Sequence, residues 1–207
     1  TAGGQVTSQE MVSLTGTTPR ECHVTVTSGG LETERTGADG VHRVSSYDTL
    51  GRLIGMEDED VSITLAYDAF SRLERRTTTS ADGRAAIQRF EYDALGRVLV
   101  QTWEHVAPSS TERYRLALSW RADDKLIGRR WYGNEDALLR EETMDYDERG
   151  RLVDHVIEAA EAGEYPQDEM QHPYVRQQFE HDCIDNLLTV TTTLLDGRVN
   201  VTTYGYD

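Results

Sequence analysis

The feature that most constrains this chain is a seven-residue frame that keeps returning along it. The frame reads Tyr47-Asp-Thr-Leu-Gly-Arg-Leu, Tyr67-Asp-Ala-Phe-Ser-Arg-Leu, Tyr92-Asp-Ala-Leu-Gly-Arg-Val and Tyr146-Asp-Glu-Arg-Gly-Arg-Leu. Trp120-Arg-Ala-Asp-Asp-Lys-Leu and His181-Asp-Cys-Ile-Asp-Asn-Leu are weaker copies, and Tyr206-Asp207 matches the start of another. Successive first residues lie 20, 25, 28, 26, 35 and 25 positions apart. Self-similarity at such a period is the mark of a repeat array, in which each unit buries its apolar surface against its neighbours.

Local physics turns the frame into a hairpin. Asp at the first position of a tight turn accepts hydrogen bonds from backbone N–H groups two or more residues on, and Gly at its end tolerates positive φ. Asp-x-x-Gly therefore predicts a type I turn followed by a left-handed residue, with antiparallel strands on either side. The incoming strands alternate in phase with the frame aromatic: Ile63, Leu65, Tyr67; Phe90, Tyr92; Tyr114, Leu116, Leu118, Trp120; Met144, Tyr146; Phe179, His181; Tyr204, Tyr206. Period two places these residues on one face of a sheet. Only the Tyr47 copy breaks the phase, since Arg43 and Ser45 precede it.

The frame assigns separate structural roles and no chemistry. Tyr47, Tyr67, Tyr92, Trp120, Tyr146, His181 and Tyr206 are packing aromatics, while Asp48, Asp68, Asp93, Asp147, Asp182 and Asp207 open the turns. Gly51, Gly96 and Gly150 complete the reversals, and Arg52, Arg72, Arg97 and Arg151 line the margin, each able to pair with the Asp of its own or a neighbouring turn. If Tyr92 is core, truncating it to alanine is expected to cost about 3–5 kcal/mol.

The second reversal of each unit is looser. Asp-Gly marks it at Ser80-Ala-Asp-Gly83 and Leu195-Asp-Gly197, whereas Glu57–Asp60, Pro108–Thr111 and Gly133–Asp136 vary. Residues 1–46 carry no clear frame. Val6, Met11, Val12, Leu14 and the run His23–Thr27 read as short strands, with turns at Ser28–Gly30 and Ala38–Gly40, so this segment reads as degenerate repeats of the same sheet. The array proper spans 47–207. Within it, Val156–Ala162 favours a short helix by propensity, and Pro166 and Pro173 predict a loop insertion at about 158–174. The fold class expected is all-β, as tandem antiparallel hairpins with at most that one helix near 156–162.

Composition excludes several functions. The net charge of −16 argues against nucleic acid and against anionic membrane surfaces as partners. No apolar run approaches the roughly 20 residues needed to span a bilayer. Cys22 and Cys183 stand far apart in strand-like sequence and read as buried thiols, neither a disulfide framework nor a metal cluster. The six histidines show no metal-ligand spacing, Glu57–Asp60 lacks the spaced oxygens of a calcium loop, and no nucleophile, phosphate or dinucleotide signature occurs. Catalytic residues, metal and cofactor are therefore assigned to none.

Tandem Tyr-Asp-x-x-Gly-Arg-Leu at this spacing resembles the YD repeat of Rhs (rearrangement hotspot) proteins, over about residues 41–207. The resemblance implies a ribbon of hairpins curving and spiralling into a hollow shell, as in the B and C components of Tc toxin complexes and in Rhs effectors. It further implies a structural, non-enzymatic section of a larger bacterial protein, secreted or cell-surface associated, that encapsulates a toxin polypeptide. Its partners would be the remainder of the shell and the enclosed toxin domain. The Asp-Pro dipeptide of the autoproteolytic plug that closes toxin-type shells is absent from this sequence. The alternative is an extracellular adhesion or carbohydrate-binding module, with Trp103, Trp120 and Trp131 as stacking platforms.

Overall fold

A computed structural model describes residues 8–11, 20–26, 30–37 and 40–206. Val6, Val12, Leu14, the turn residues 28–29 and Asp207 lie outside the described residues, as does the side chain of Cys22. The chain is all-β. Its strands are β1 (Ser8–Met11), β2 (Arg20–Val26), β3 (Glu32–Thr36), β4 (His42–Tyr47), β5 (Leu53–Glu57), β6 (Val61–Tyr67), β7 (Leu73–Ser80) and β8 (Ala85–Tyr92). There follow β9 (Val98–Ala107), β10 (Ser110–Trp120), β11 (Leu126–Tyr132), β12 (Leu138–Tyr146), β13 (Leu152–Ala159), β14 (Tyr174–His181), β15 (Leu187–Leu194) and β16 (Val199–Thr203).

The chain divides into two compact units. Residues 1–89 with 104–111 form one, and residues 90–103 with 112–207 form the other. Within the first unit β1 to β8 are a meander, each strand antiparallel to the next, from Ser8↔His23 to Thr79↔Ala85. Within the second, β10 to β16 continue in the same way. Sequence-adjacent pairing follows from the short connections, which leave no room for a crossover everywhere except at the longer 160–173 connection.

Five of the first frame residues sit where the register slips by one. The shifts fall at Ser46/Tyr47, Ala66/Tyr67, Ser119/Trp120, Asp145/Tyr146 and Glu180/His181. The extra residue is the left-handed one at frame position 5, giving a type I turn closed by a bulge. Its φ is +79° at Gly51, +88° at Gly96 and +80° at Gly150, and the same conformation is held by Ser71 (+63°), Asp124 (+65°) and Asp185 (+72°). At Gly150 an added Cβ would meet only the flexible end of the Lys125 side chain, at 2.9 Å, so the cost of a substitution there lies in the positive φ. Gly150→Ala is expected to cost about 1–2 kcal/mol in urea unfolding, with Gly83→Ala at its open turn costing a similar amount.

The core is thin. Among the described residues the buried apolar side chains are Met144, Ile157 and Leu194, with Thr102, Glu142 and Thr192 buried beside them. The frame aromatics from Tyr47 to His181, Tyr92 included, are half-buried, and Tyr206 is exposed. The full cost of core truncation therefore attaches to Ile157 and not to the tyrosines.

Two expectations change. Val156–Ala159 is strand, paired across β12 from Thr143↔Val156 to Arg140↔Ala159, and the short 3₁₀ turns fall at Asn134–Asp136 and Ala162–Glu164. Pairing and the burial of Ile157 outweigh a helix preference of a few tenths of a kcal/mol per residue. Cys183 is exposed, on the turn at frame position 3 and not in a strand. The frame itself dictates this, since position 3 is the outermost part of the reversal.

Candidate functional site

The turn margin is built from the frame upward. Asp48 Oδ1 accepts the backbone N–H of Leu50 (2.9 Å) and Arg52 (3.0 Å), and Oδ2 accepts Arg52 Nε at 2.7 Å. Asp68, Asp93 and Asp147 repeat this with Phe70 and Arg72, Leu95 and Arg97, and Arg149 and Arg151, each arginine Nε again at 2.7 Å. In the weak copy Asp182 holds Ile184 and Asn186 N–H, with Asn186 Nδ2 at 2.9 Å replacing the arginine. The Trp120 copy keeps the turn but replaces the acidic cap, Arg121 instead pairing with Asp123 at 2.8 Å.

The aromatics have a role that alternation did not show. Tyr67 OH donates to Leu53 O at 2.7 Å, Tyr146 OH to Leu126 O at 2.8 Å, Tyr206 OH to Leu187 O at 2.9 Å, and Trp120 Nε1 to Val98 O at 2.7 Å. Each acceptor is residue 7 of the preceding frame. Leu53, Leu126 and Leu187 lie beyond the last strand pair between hairpins, which ends at Gly55↔Thr64, Gly128↔Thr143 and Thr189↔Thr203. The hydroxyl thus satisfies a carbonyl that the ladder leaves over. Tyr47 OH makes the equivalent bond to Glu32 O at 2.8 Å. The sequence signal was available: outside the His181 copy, position 1 takes Tyr or Trp, which carry a donor, and never Phe. His181 has a buried Nδ1 without a hydrogen-bond partner.

The arginines tie one turn to the next. Arg52 Nη1 donates to Ser71 Oγ at 2.8 Å and its guanidinium lies 4.6 Å over the Tyr67 ring. Arg97 reaches Arg121 O and Asp124 Oδ1, and stacks 5.7 Å over Trp120. Arg151 reaches Asp182 O and Asp185 Oδ1. In each case the acceptor side chain is the left-handed position 5 of the following copy, which is Gly in one copy and polar in the next. Lys125 completes the series 5.8 Å over Tyr146.

These bonds set the acid response of the margin. Backbone N–H donation from Arg52 and Arg151 lowers Asp48 and Asp147, and the Arg121 hydrogen bond lowers Asp123 to about 2. For Asp93 burial opposes the shift, and its bonds from Arg97 overcome it. A carboxylate lowered in the folded state binds fewer protons there than when unfolded, so its contribution is present above the unfolded value and fades as pH falls through the folded one. The urea midpoint is expected to hold from pH 7 to about 5 and to drop between about pH 4 and 2.

A second constellation lies inside the second unit. Glu142 on β12 is buried and faces three cationic or ionisable side chains: Arg129 Nη2 at 2.7 Å, Arg140 Nε at 2.9 Å and His155 Nε2 at 3.0 Å. Register brings them together, since Arg129 is the cross-strand partner of Glu142, and Arg140 stands two residues away on the same face. Burial would raise the Glu142 carboxyl, but the His155 bond and the two guanidinium groups hold it below the usual range. Arg140 also donates to Glu164 O at 3.0 Å, fastening the 160–173 connection to the sheet, and lies 5.4 Å over Trp131. Trp131 in turn stacks on Trp103, with centroids 6.2 Å apart.

The 160–173 connection contains a turn that the sequence did not disclose. Asp168 N bonds His172 O, Gln171 N bonds Asp168 O, and Asp168 Oδ1 accepts Met170 and His172 N–H, with Gln171 at φ +63°. This is the frame turn with Gln167 and Pro173 as its bridged ends. Without its aromatic and arginine it had no recognisable letters. Beside it a shallow pocket of about 220 Å³ is lined by His172, Pro173, Leu194, Leu195, Asp196 and Arg198. Among the described residues no group of three or more His, Cys, Asp or Glu is placed to hold a metal ion, and no helix is long and apolar enough to cross a membrane.

No family model matches the chain, and no curated protein matches it. Its fold is similar to that of solved structures. The crystal structure of TcdB2-TccC3-Cdc42 superposes with a TM-score of 0.68 at 16% identity, over 95% of this chain and 11% of that one. TcdB2-TccC3 without its hypervariable C-terminal region gives 0.67, with the same identity and coverage. The chain thus spans about a tenth of the length of the structures it matches.

Proposed function

We propose that this chain is a section of the wall of an Rhs-type YD-repeat shell that encapsulates a toxin polypeptide for delivery. The observation that carries the reading is the clamp between successive turns: tyrosine to the preceding residue 7, arginine to the following residue 5. Such links specify a ribbon whose hairpins are held at a fixed step. The fold likeness to TcdB2-TccC3, whose components belong to Tc toxins, supports the same architecture. The polar frame residues are consumed in making the wall, so the reading is non-enzymatic. Its partners would be the rest of the shell and its enclosed polypeptide, in a secreted or surface-associated bacterial protein.

The carbohydrate alternative has less support. Trp103 and Trp131 turn their rings on each other, and Trp120 spends its N–H on Val98 O. The deciding experiment is limited proteolysis of the full-length product of the reading frame containing this chain. A protected fragment outside the repeats, cleaved once mild denaturant opens the shell, is the expected result. Equal cleavage of every non-repeat segment under native conditions would overturn the proposal.

A further inference from the structure

The left-handed position 5 of the frame alternates without exception along the array: Gly51, Ser71, Gly96, Asp124, Gly150, Asp185. Glycine has no side chain to accept a bond, so an arginine can be answered by a position-5 side chain only at every second junction. Those are the junctions the structure joins in this way: Arg52 to Ser71 at 2.8 Å, Arg97 to Asp124 at 2.8 Å, and Arg151 to Asp185 at 2.9 Å. Spacing divides the junctions identically. First residues of the bonded copies lie 20, 28 and 35 positions apart, whereas the intervals from 67 to 92, 120 to 146 and 181 to 206 are 25, 26 and 25. Length variation is thus confined to the bonded intervals. The acceptor strengthens as those intervals lengthen, from the Ser71 hydroxyl through the Asp124 carboxylate to Asp185, whose Oδ1 takes Arg149 as well as Arg151.

We propose that the working unit of this ribbon is a latched pair of hairpins, with an unlatched joint between one pair and the next. The pairs begin at 47 and 67, at 92 and 120, and at 146 and 181. The tyrosine clamp holds junctions of both kinds, since Tyr67 serves within a pair and Tyr146 between two. The arginine latch is what distinguishes them. Exposed ion pairs are ordinarily weak, because two long side chains must be ordered to make one contact. Here that ordering is already done on the arginine side. Asp93 and Asp147 fix Arg97 and Arg151 through Nε at 2.7 Å, and the same Nη1 that meets the latch also reaches Arg121 O or Asp182 O. A long interval costs more entropy to close than a short one, and the charged acceptors stand at the longer intervals. At the joint from 120 to 146 the frame cation is Lys125, which lies over the Tyr146 ring and finds Gly150 in place of an acceptor. Local opening of the margin therefore spreads within a pair and stops at a joint. The inference does not depend on what the repeats enclose.

The test is amide hydrogen exchange, read by NMR on the full chain, at the turn N–H groups that Asp93 and Asp147 hold. Asp185→Gly removes the acceptor and suits a φ of +72°, so its own turn gains no strain. Asp185→Ser removes the same charge but keeps an acceptor of the kind Ser71 provides. Expected for Asp185→Gly is exchange about two- to fivefold faster at Arg149 and Arg151, with the 120–126 turn unchanged. Asp185→Ser should show native rates at both turns. Asp124→Gly should likewise quicken Leu95 and Arg97, across the latch, and leave Arg149 and Arg151, across the joint, as they were. Unaltered exchange at the partner turn, faster exchange across a joint, or a serine variant that behaves like the glycine one would each overturn the proposal.

Discussion

Replacing Glu142 by alanine is expected to remove about 3 kcal/mol of stability, read as a lower midpoint in urea unfolding. The carboxylate is the common counter-charge of Arg129 and Arg140 and the hydrogen-bond partner of His155, and it is nearly inaccessible to water. Its loss leaves two guanidinium groups half-withdrawn from solvent with no counter-charge. Both retain some exposure, which keeps the figure at the low end for a broken buried pair. Glu142→Gln keeps the shape and one acceptor and should cost about half as much. Because Arg140 also holds Glu164 O, the alanine variant should further expose the 160–173 connection to protease. A loss below about 1 kcal/mol would mean that water already compensates the cluster.

Ile157→Ala should cost a similar amount, about 3 kcal/mol. Ile157 is the most completely buried large side chain among the described residues, and it stands directly across from Glu142 in the β12–β13 ladder. Ile157→Val should cost about 1 kcal/mol. The two sites touch one network, so the double variant is expected to depart from additivity by at least about 0.5 kcal/mol. Additive losses would show that the ion cluster and the apolar core are independent.

Much of the fold was legible because the hairpin is a local object. Asp at position 2 and a left-handed position 5 define the reversal within five residues, and alternation around it defines the strands. Legibility failed where the relevant partner was distant in sequence. The tyrosine hydroxyl bonds a carbonyl 14 residues back in Tyr67 and 20 back in Tyr146, and Arg151 reaches Asp185, 34 residues ahead. Glu142 was one acid among many until register placed Arg129 beside it. The turn at Asp168 was hidden because its geometry survives without the letters that advertise it elsewhere. Val156–Ala159 misled because propensity there favoured helix while pairing favoured strand.

The sequence by itself determined the all-β class, the hairpin unit and the places where the chain reverses, since each rests on steric and hydrogen-bonding preferences of neighbouring residues. Tertiary structure alone decided which half-buried residues are clamps, where the buried charge cluster forms, and which neighbouring turns are bound together. Those outcomes depend on which strands stand side by side and in what register, and register brings together residues that no local preference relates.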